Sequence, residues 1–167
     1  SAASDVYKRQ AGSYTLSGSA IAISDSGNTL VVGARGDDGT DGSFDEYSGS
    51  SGTSYTDIGH VRVHDWNGSS WQQRGADIDG ENTGDMSGNA VAVNADGNTI
   101  AIGAINNDGN GQDSGHVRVY QWSGSAWTQV GSDIDGEANN DNSGVSISLS
   151  TDGRTLAVGA DNNDGAN

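Results

Sequence analysis

The sequence predicts an all-β chain assembled from repeated units, and three observations carry that reading. The apolar residues fall into short Val/Ile/Ala runs separated by Gly, Asn, Asp and Ser, with 27 Gly and no Pro in 167 residues. Helix formers are scarce, with four Leu, three Glu, one Lys and one Met, and no long stripe of period 3.6 is present. The stretch Gly115-His116-Val117-Arg118-Val119-Tyr120-Gln121-Trp122, followed by Trp127 and Asp133-Ile134-Asp135-Gly136-Glu137, has an earlier copy. That copy is Gly59-His60-Val61-Arg62-Val63-His64-Asp65-Trp66, followed by Trp71 and Asp77-Ile78-Asp79-Gly80-Glu81, and every matched pair is 56 positions apart. An apolar fraction of 32% fits disorder when scattered; clustered and recurrent, it fits a stacked array.

Residues 1–11 match nothing downstream and read as a non-repeat leader; Ser4-Asp5-Val6-Tyr7-Lys8-Arg9-Gln10 resembles translated adaptor sequence, the alternative being a frayed terminal strand. A first half-unit then occurs three times, over Ser17 to Ala34, Ser87 to Ala104 and Ser143 to Ala160. Each copy is an alternating strand, a short turn holding Gly and a second alternating strand, which is a hairpin. In the second copy Val91 and Val93 share one face and Ala90 and Ala92 the other. A large face and a small face suit a sheet buried between two neighbouring sheets, as in propeller blades.

The second half-unit predicts another hairpin, Val117 to Trp122 and Trp127 to Val130 around Ser123-Gly124-Ser125-Ala126, with Asn67-Gly68 in the equivalent earlier loop. That loop length sets Trp122 opposite Trp127 and Trp66 opposite Trp71. Two hairpins per unit give four strands. The predicted architecture is therefore a β-propeller fragment of about two and a half four-stranded antiparallel blades on a 56-residue repeat. Unit 1 spans 12–81, unit 2 spans 82–137, and 138–167 is the first half of unit 3. Closed propellers hold about four to eight blades, so further repeats of the same chain are expected on both sides. Gly33 and Gly103 are 70 residues apart, Gly103 and Gly159 only 56. The extra 14 residues, between Asp38-Gly39 and Gly59-His60, are too polar for a core and are expected to protrude as a loop.

The net charge of −16 excludes nucleic acid as a natural partner, because phosphate contacts need Lys and Arg, of which there are seven. No run approaches the ~20 apolar residues of a membrane span, so no membrane insertion is expected. Of 23 acids, 20 are Asp, a residue of turns and metal loops, which leaves both solubility and divalent-cation binding open. Absence of Cys excludes disulfides and thiolate chemistry.

In these residues the chain resembles the FG-GAP repeat, in its bacterial variety, which builds propellers of the integrin α-subunit type. The likeness rests on Gly88, Asp96-Gly97-Asn98-Thr99, Ile102-Gly103-Ala104, Gly115 to Tyr120, and Trp127-Thr128-Gln129, and it recurs over residues 16–167. The Phe of the family's name is replaced by Ser17, Ser87 and Ser143, and its Pro by Arg35, Ile105 and Asp161. The long Asp-rich calcium loop of integrin-type repeats is here a tight turn with one Asp per copy, Asp25, Asp96 or Asp152. Calcium takes about six to eight oxygens, so the family's metal site does not carry over to that turn.

The calcium candidates are instead Asn106, Asp108, Asn110 and Asp113 in the loop before Gly115, with Asp37, Asp38 and Asp41 in the equivalent loop of unit 1. The alternate spacing before Gly111 resembles the start of an EF-hand ligand series; the competing reading is a set of Asn and Asp side chains capping their own turns. The clustered acids at 77–81 and 133–137 admit a cation or plain solvation. His116 beside Asp113 invites a hydrolase reading, but recurrence as His60 makes it part of the repeat, and no enzyme is expected. The four Trp are expected in the core before any sugar-stacking role. Phe44, Tyr47 and Tyr55 in the insertion are the candidate ligand-binding residues, against a functionless surface excursion.

The resemblance implies a non-enzymatic extracellular or cell-surface scaffold for adhesion or protein interaction, with a surface protein or glycan as partner. The alternative is a calcium- or carbohydrate-binding propeller module appended to a secreted enzyme.

Overall fold

The computed structural model describes residues 17–36 and 57–165, and all regular structure among them is β. The first sheet contains β1 (Ser17–Ile23), β2 (Thr29–Ala34), β3 (His60–Trp66), β4 (Trp71–Gln73) and β5 (Ile78–Asp79). The second repeats it as β6 (Ser87–Val93), β7 (Thr99–Ala104), β8 (His116–Trp122), β9 (Trp127–Gln129) and β10 (Ile134–Asp135). A third, two-stranded sheet holds β11 (Ser146–Leu149) and β12 (Leu156–Gly159). Every strand pair is antiparallel, in the order β1-β2-β3 and then β4 with β5, and likewise in the second sheet. This is the all-β, blade-like arrangement the repeat predicts.

The fourth strand departs from the expectation by breaking in two. Along β3 one end pairs with β4, His64 to Gln73 through Trp66 to Trp71, and the other with β5, His60 to Asp79 and Val61 to Ile78. Between the pieces Gly75 takes φ +82°, and Gly131 takes φ +77° at the same point of the next blade. That left-handed turn carries the chain out of the ladder, and a glycine adopts it without the strain a Cβ would bring. The Trp pairs sit opposite each other as predicted, with ring centroids 5.6 and 5.3 Å apart.

Stacking follows the large-face, small-face pattern. Ala20, Ala22, Val31, Val61, Val63 and Ile78 of the first blade meet Val91, Val93, Ile100 and Ile102 of the second. Ala92, Ala101, Val117 and Val119 on the second blade's other face meet Ile147, Leu149, Leu156 and Val158 of the third sheet. Ile100 and Ile102 are fully buried between blades, and each such side chain contributes about 1.5–3 kcal/mol. Ile21 and Ile23 hold the same register as Val91 and Val93 but lie on the first blade's outer face, 69% and 57% exposed.

The blades come closest at glycines. A Cβ on Gly33 would overlap the backbone oxygen of Gly88, and a Cβ on Gly103 that of Gly144. Gly88 and Gly144 take φ +83° and +89°; Gly88 lies in the bulge that shifts the β6–β7 register between Ser87 and Ala90. Backbone hydrogen bonds also cross from blade to blade, Ser87 N–H to Ile58 O at 3.0 Å and Ser143 N–H to Ser114 O at 2.9 Å.

Gly103→Ala is therefore expected to destabilise the chain by about 3 kcal/mol, because the added methyl meets backbone that cannot move aside. Gly124, at φ +97° with nothing within 4 Å of a built Cβ, is the control. Gly124→Ala carries only the left-handed penalty of about 1–2 kcal/mol. Urea unfolding of the two variants measures the difference.

Candidate functional site

The polar residues gather at both ends of the blade interface. At the end where β5 leads into β6 and β7 into β8, two acids are buried. Asp85 accepts from Asn82 N–H at 2.9 Å and from Asn107 Nδ2 at 3.0 Å. Asp141 accepts from Glu137 N–H, Ala138 N–H and Asn163 Nδ2, at 3.0, 2.8 and 3.3 Å. The carboxylate in each copy gathers the turn entering a blade, and an Asn 22 residues later ties in the loop after that blade's second strand. Only 3% and 2% of Asp85 and Asp141 is exposed, unlike Asp79 and Glu81 in the acid cluster that precedes Asp85. The shared Asp–Asn spacing was the signal that sequence reasoning passed over.

The calcium-candidate loop lies at the same end. Asp108 Oδ1 accepts from Asp113 N–H at 2.8 Å, and Asn110 Nδ2 donates to Gly136 O at 2.8 Å and to Glu137 O at 3.3 Å. Asn106 N–H donates to Asp85 O at 3.3 Å, and Asn107 Oδ1 accepts from Gly109 N–H at 2.8 Å. Asp113 itself takes φ +51°, a left-handed value that Asp tolerates better than most residues. The Asp108 and Asn107 bonds cap their own loop, as in the competing reading, whereas Asn110 and Asn106 tie the loop to neighbouring segments. Asp37, Asp38, Asp41, Phe44, Tyr47 and Tyr55 lie outside the described residues; the chain on either side of them, at Gly36 and Asp57, belongs to this same end.

Further along the interface, His116, Arg118 and Tyr120 alternate on the face of β8 that looks at the first blade. Arg118 crosses to it, donating to Asp79 O at 2.8 Å and standing 3.6 Å from Glu81 Oε1. Its counterpart Arg62 donates to Asp77 Oδ2 of its own blade at 2.9 and 2.7 Å. Asp133, the counterpart of Asp77, accepts from Gln129 Nε2 at 2.6 Å through Oδ1 and faces His116 Nδ1 across 3.8 Å through Oδ2, with no arginine bonded to it among the described residues. Ligand atoms of Glu81, His116 and Asp133 all lie within 4.8 Å of one another. Neither Glu81 nor Asp133 was singled out with His116 from sequence, because the three converge only when one blade stacks on the next.

At the opposite end Arg74 joins the blades. Its guanidinium lies 4.7 Å from the Trp122 ring centroid and 5.2 Å from that of Trp127, donates to Gly97 O at 3.1 Å and to Asn98 Oδ1, and pairs with Asp65 at 3.5 Å. Trp127 Nε1 returns a bond to Arg74 O at 2.9 Å. Asp65, Trp66, Arg74, Asp96 and Trp122 line an open cleft of about 500 Å³. The four Trp are half-buried here, a correction to their expected place in the core. Val and Ile fill the centre, and the indoles clamp the margin, where Trp127 Nε1 reaches the Arg74 carbonyl while Trp71 Nε1 is buried without a hydrogen-bond partner.

Charge follows this geometry. Burial lowers the His116 pKa, the Arg118 charge lowers it further, and Asp133 and Glu81 oppose them. His64 is lowered in the same way by burial and Arg62, against Asp77 and Asp65. Burial works against ionisation of Asp77, but the Arg62 bonds and charge, with Gln73, hold its carboxyl below the usual range. A histidine lowered in the folded state binds fewer protons than in the unfolded chain, so stability is full above the unfolded value of 6.5 and declines as pH falls below it. Urea midpoints taken between pH 7.5 and 5 are expected to fall, and His116→Gln is expected to flatten that fall in part. The Asp77 contribution is lost only at lower pH, below 3.8.

Residues 77–120 match the family model of the FG-GAP repeat. The match starts in the outer strand of the first blade and ends in the third strand of the second, so it spans the interface just described. No curated protein matches the chain. The 56-residue recurrence and the stacked antiparallel sheets agree with that match: over residues 77–120 the chain is similar to the FG-GAP repeat, and its sheets are consistent with a propeller fragment.

Proposed function

We propose that the chain is a non-enzymatic extracellular or cell-surface propeller segment that serves as a scaffold for adhesion or protein interaction, flanked by further repeats. One observation carries the reading. The Asp85–Asn107 and Asp141–Asn163 pairs, each with its carboxylate buried, join successive loops at one end of the blades in a repeated arrangement. Loops held on a rigid scaffold are where binding surfaces are built. The 14-residue insertion joins β2 to β3 at that end, and its Phe44, Tyr47 and Tyr55 have the aromatic-among-Ser/Gly composition of adaptable contact loops. The exposed Ile21 and Ile23, in the register that Val91 and Val93 use to stack, support a preceding repeat. A net charge of −16 suits a partner with a basic or neutral face.

Carbohydrate binding is a second reading, favoured by the open cleft with Trp66 and Trp122 on its wall and Asp65, Asp96 and Arg74 beside them. Indole faces with flanking hydrogen-bonding groups suit a sugar ring.

Binding of the chain to immobilised cell-surface proteins and to a glycan array, in millimolar calcium and in chelator, tests both readings. The scaffold reading expects protein binding that falls at least about tenfold in the Phe44→Ala/Tyr47→Ala/Tyr55→Ala variant, the loss of one or two contact residues of about 1.4 kcal/mol or more. Glycan binding lost in Trp66→Ala and retained in the triple variant would favour the second reading. Loss of binding in chelator, reproduced by Asp108→Asn, would assign calcium to the 106–115 loop.

A further inference from the structure

We propose that the interface between the first two blades holds a divalent transition-metal site of the zinc class, with Glu81, His116 and Asp133 as its protein ligands. The site would be a staple. Glu81 comes from the segment leaving the first blade, and His116 and Asp133 from β8 and the turn before β10 of the second.

Three observations support it. His116 is 1% exposed and its Nδ1 has no hydrogen-bond partner, although it points toward Asp133 Oδ2 at 3.8 Å. A buried polar atom without a partner is costly and calls for an explanation. The carboxylates beside it lie toward solvent, with side-chain exposures of 29% for Asp133 and 41% for Glu81, so an ion can enter and the ligands can close on it. The ligand atoms are all within 4.8 Å of one another. Tetrahedral bonds of about 2.0–2.2 Å place ligand atoms about 3.4 Å apart, so closure needs only a modest movement of Glu81 and Asp133.

The two blades also differ in the way such a site needs. Arg62 occupies Asp77 in the first blade, whereas Arg118 has swung across to the first blade's Asp79 carbonyl. That swing leaves Asp133 Oδ2 facing the imidazole. Burial and Arg118 hold His116 toward its neutral form, the form that ligates. One imidazole nitrogen and two carboxylate oxygens match zinc with a fourth position for water; they do not match calcium, which takes oxygen alone.

The test is titration of the purified chain with Zn²⁺ alone, followed by calorimetry and thermal unfolding, with Co²⁺ as the spectroscopic substitute. One ion per chain is expected, with a midpoint raised by about 5 °C at a hundredfold excess over Kd and reversed by chelator. Co²⁺ is expected to give the visible d–d bands of a low-coordinate site. His116→Gln and Glu81→Gln are each expected to weaken binding at least about tenfold. Glu81 lies at the surface, so its variant keeps the test valid if the His116 variant folds poorly. No Zn²⁺-dependent stabilisation, or stabilisation unchanged in Glu81→Gln, overturns the proposal.

Discussion

The structure depends on the contact of backbone with backbone at the blade seam, where Gly33 meets Gly88 and Gly103 meets Gly144. Two twisted sheets pack face to face about 10 Å apart when ordinary side chains interdigitate. At these points they come closer than any Cβ permits. The approach puts Ser87 N–H on Ile58 O and Ser143 N–H on Ser114 O, so neighbouring blades share main-chain hydrogen bonds as well as an apolar layer. The Val and Ile residues filling the rest of the layer are of ordinary size; the glycines set the spacing they fill.

Around that seam the chain uses its few strong polar groups to fasten the margins. Arg74 lies against Trp122 and Trp127 at one end, and Asp85 and Asp141 gather the loops at the other. Each of these groups is at least half removed from water, where a charge-assisted hydrogen bond is worth more than at an open surface. Among the described residues the acids therefore fall into a small buried set that organises turns, Asp85 and Asp141, and a larger set that is exposed or half-buried.

The fold was legible in the sequence because the 56-residue recurrence reports one unit more than once. Alternation at Val91/Val93 against Ala90/Ala92 named the faces, and the loop between Trp122 and Trp127 named the register. The break in the fourth strand was not foreseen, since Gly75 and Gly131 sit among polar residues that read equally well as strand or turn. The candidate site was legible only in part. Asp108 and Asp113 drew attention as a metal pattern, and the structure shows them bonded within their own loop. Glu81 and Asp133 were visible only as members of separate acid clusters and His116 only beside Asp113, because two blades must stack before their side chains meet. Contacts within a unit leave a periodic trace; contacts between units depend on a spacing that only glycine-to-glycine packing sets.

Native-state hydrogen exchange tests the stacked seam most directly. The account predicts that the Ser87 and Ser143 amides, which donate across the seam, exchange as slowly as the amides of Val31 and Ile102 within the sheets, opening only with global unfolding. Exchange of Ser87 and Ser143 at rates near those of an unprotected peptide, with Val31 and Ile102 still protected, would show that the blades are not joined there and would contradict it.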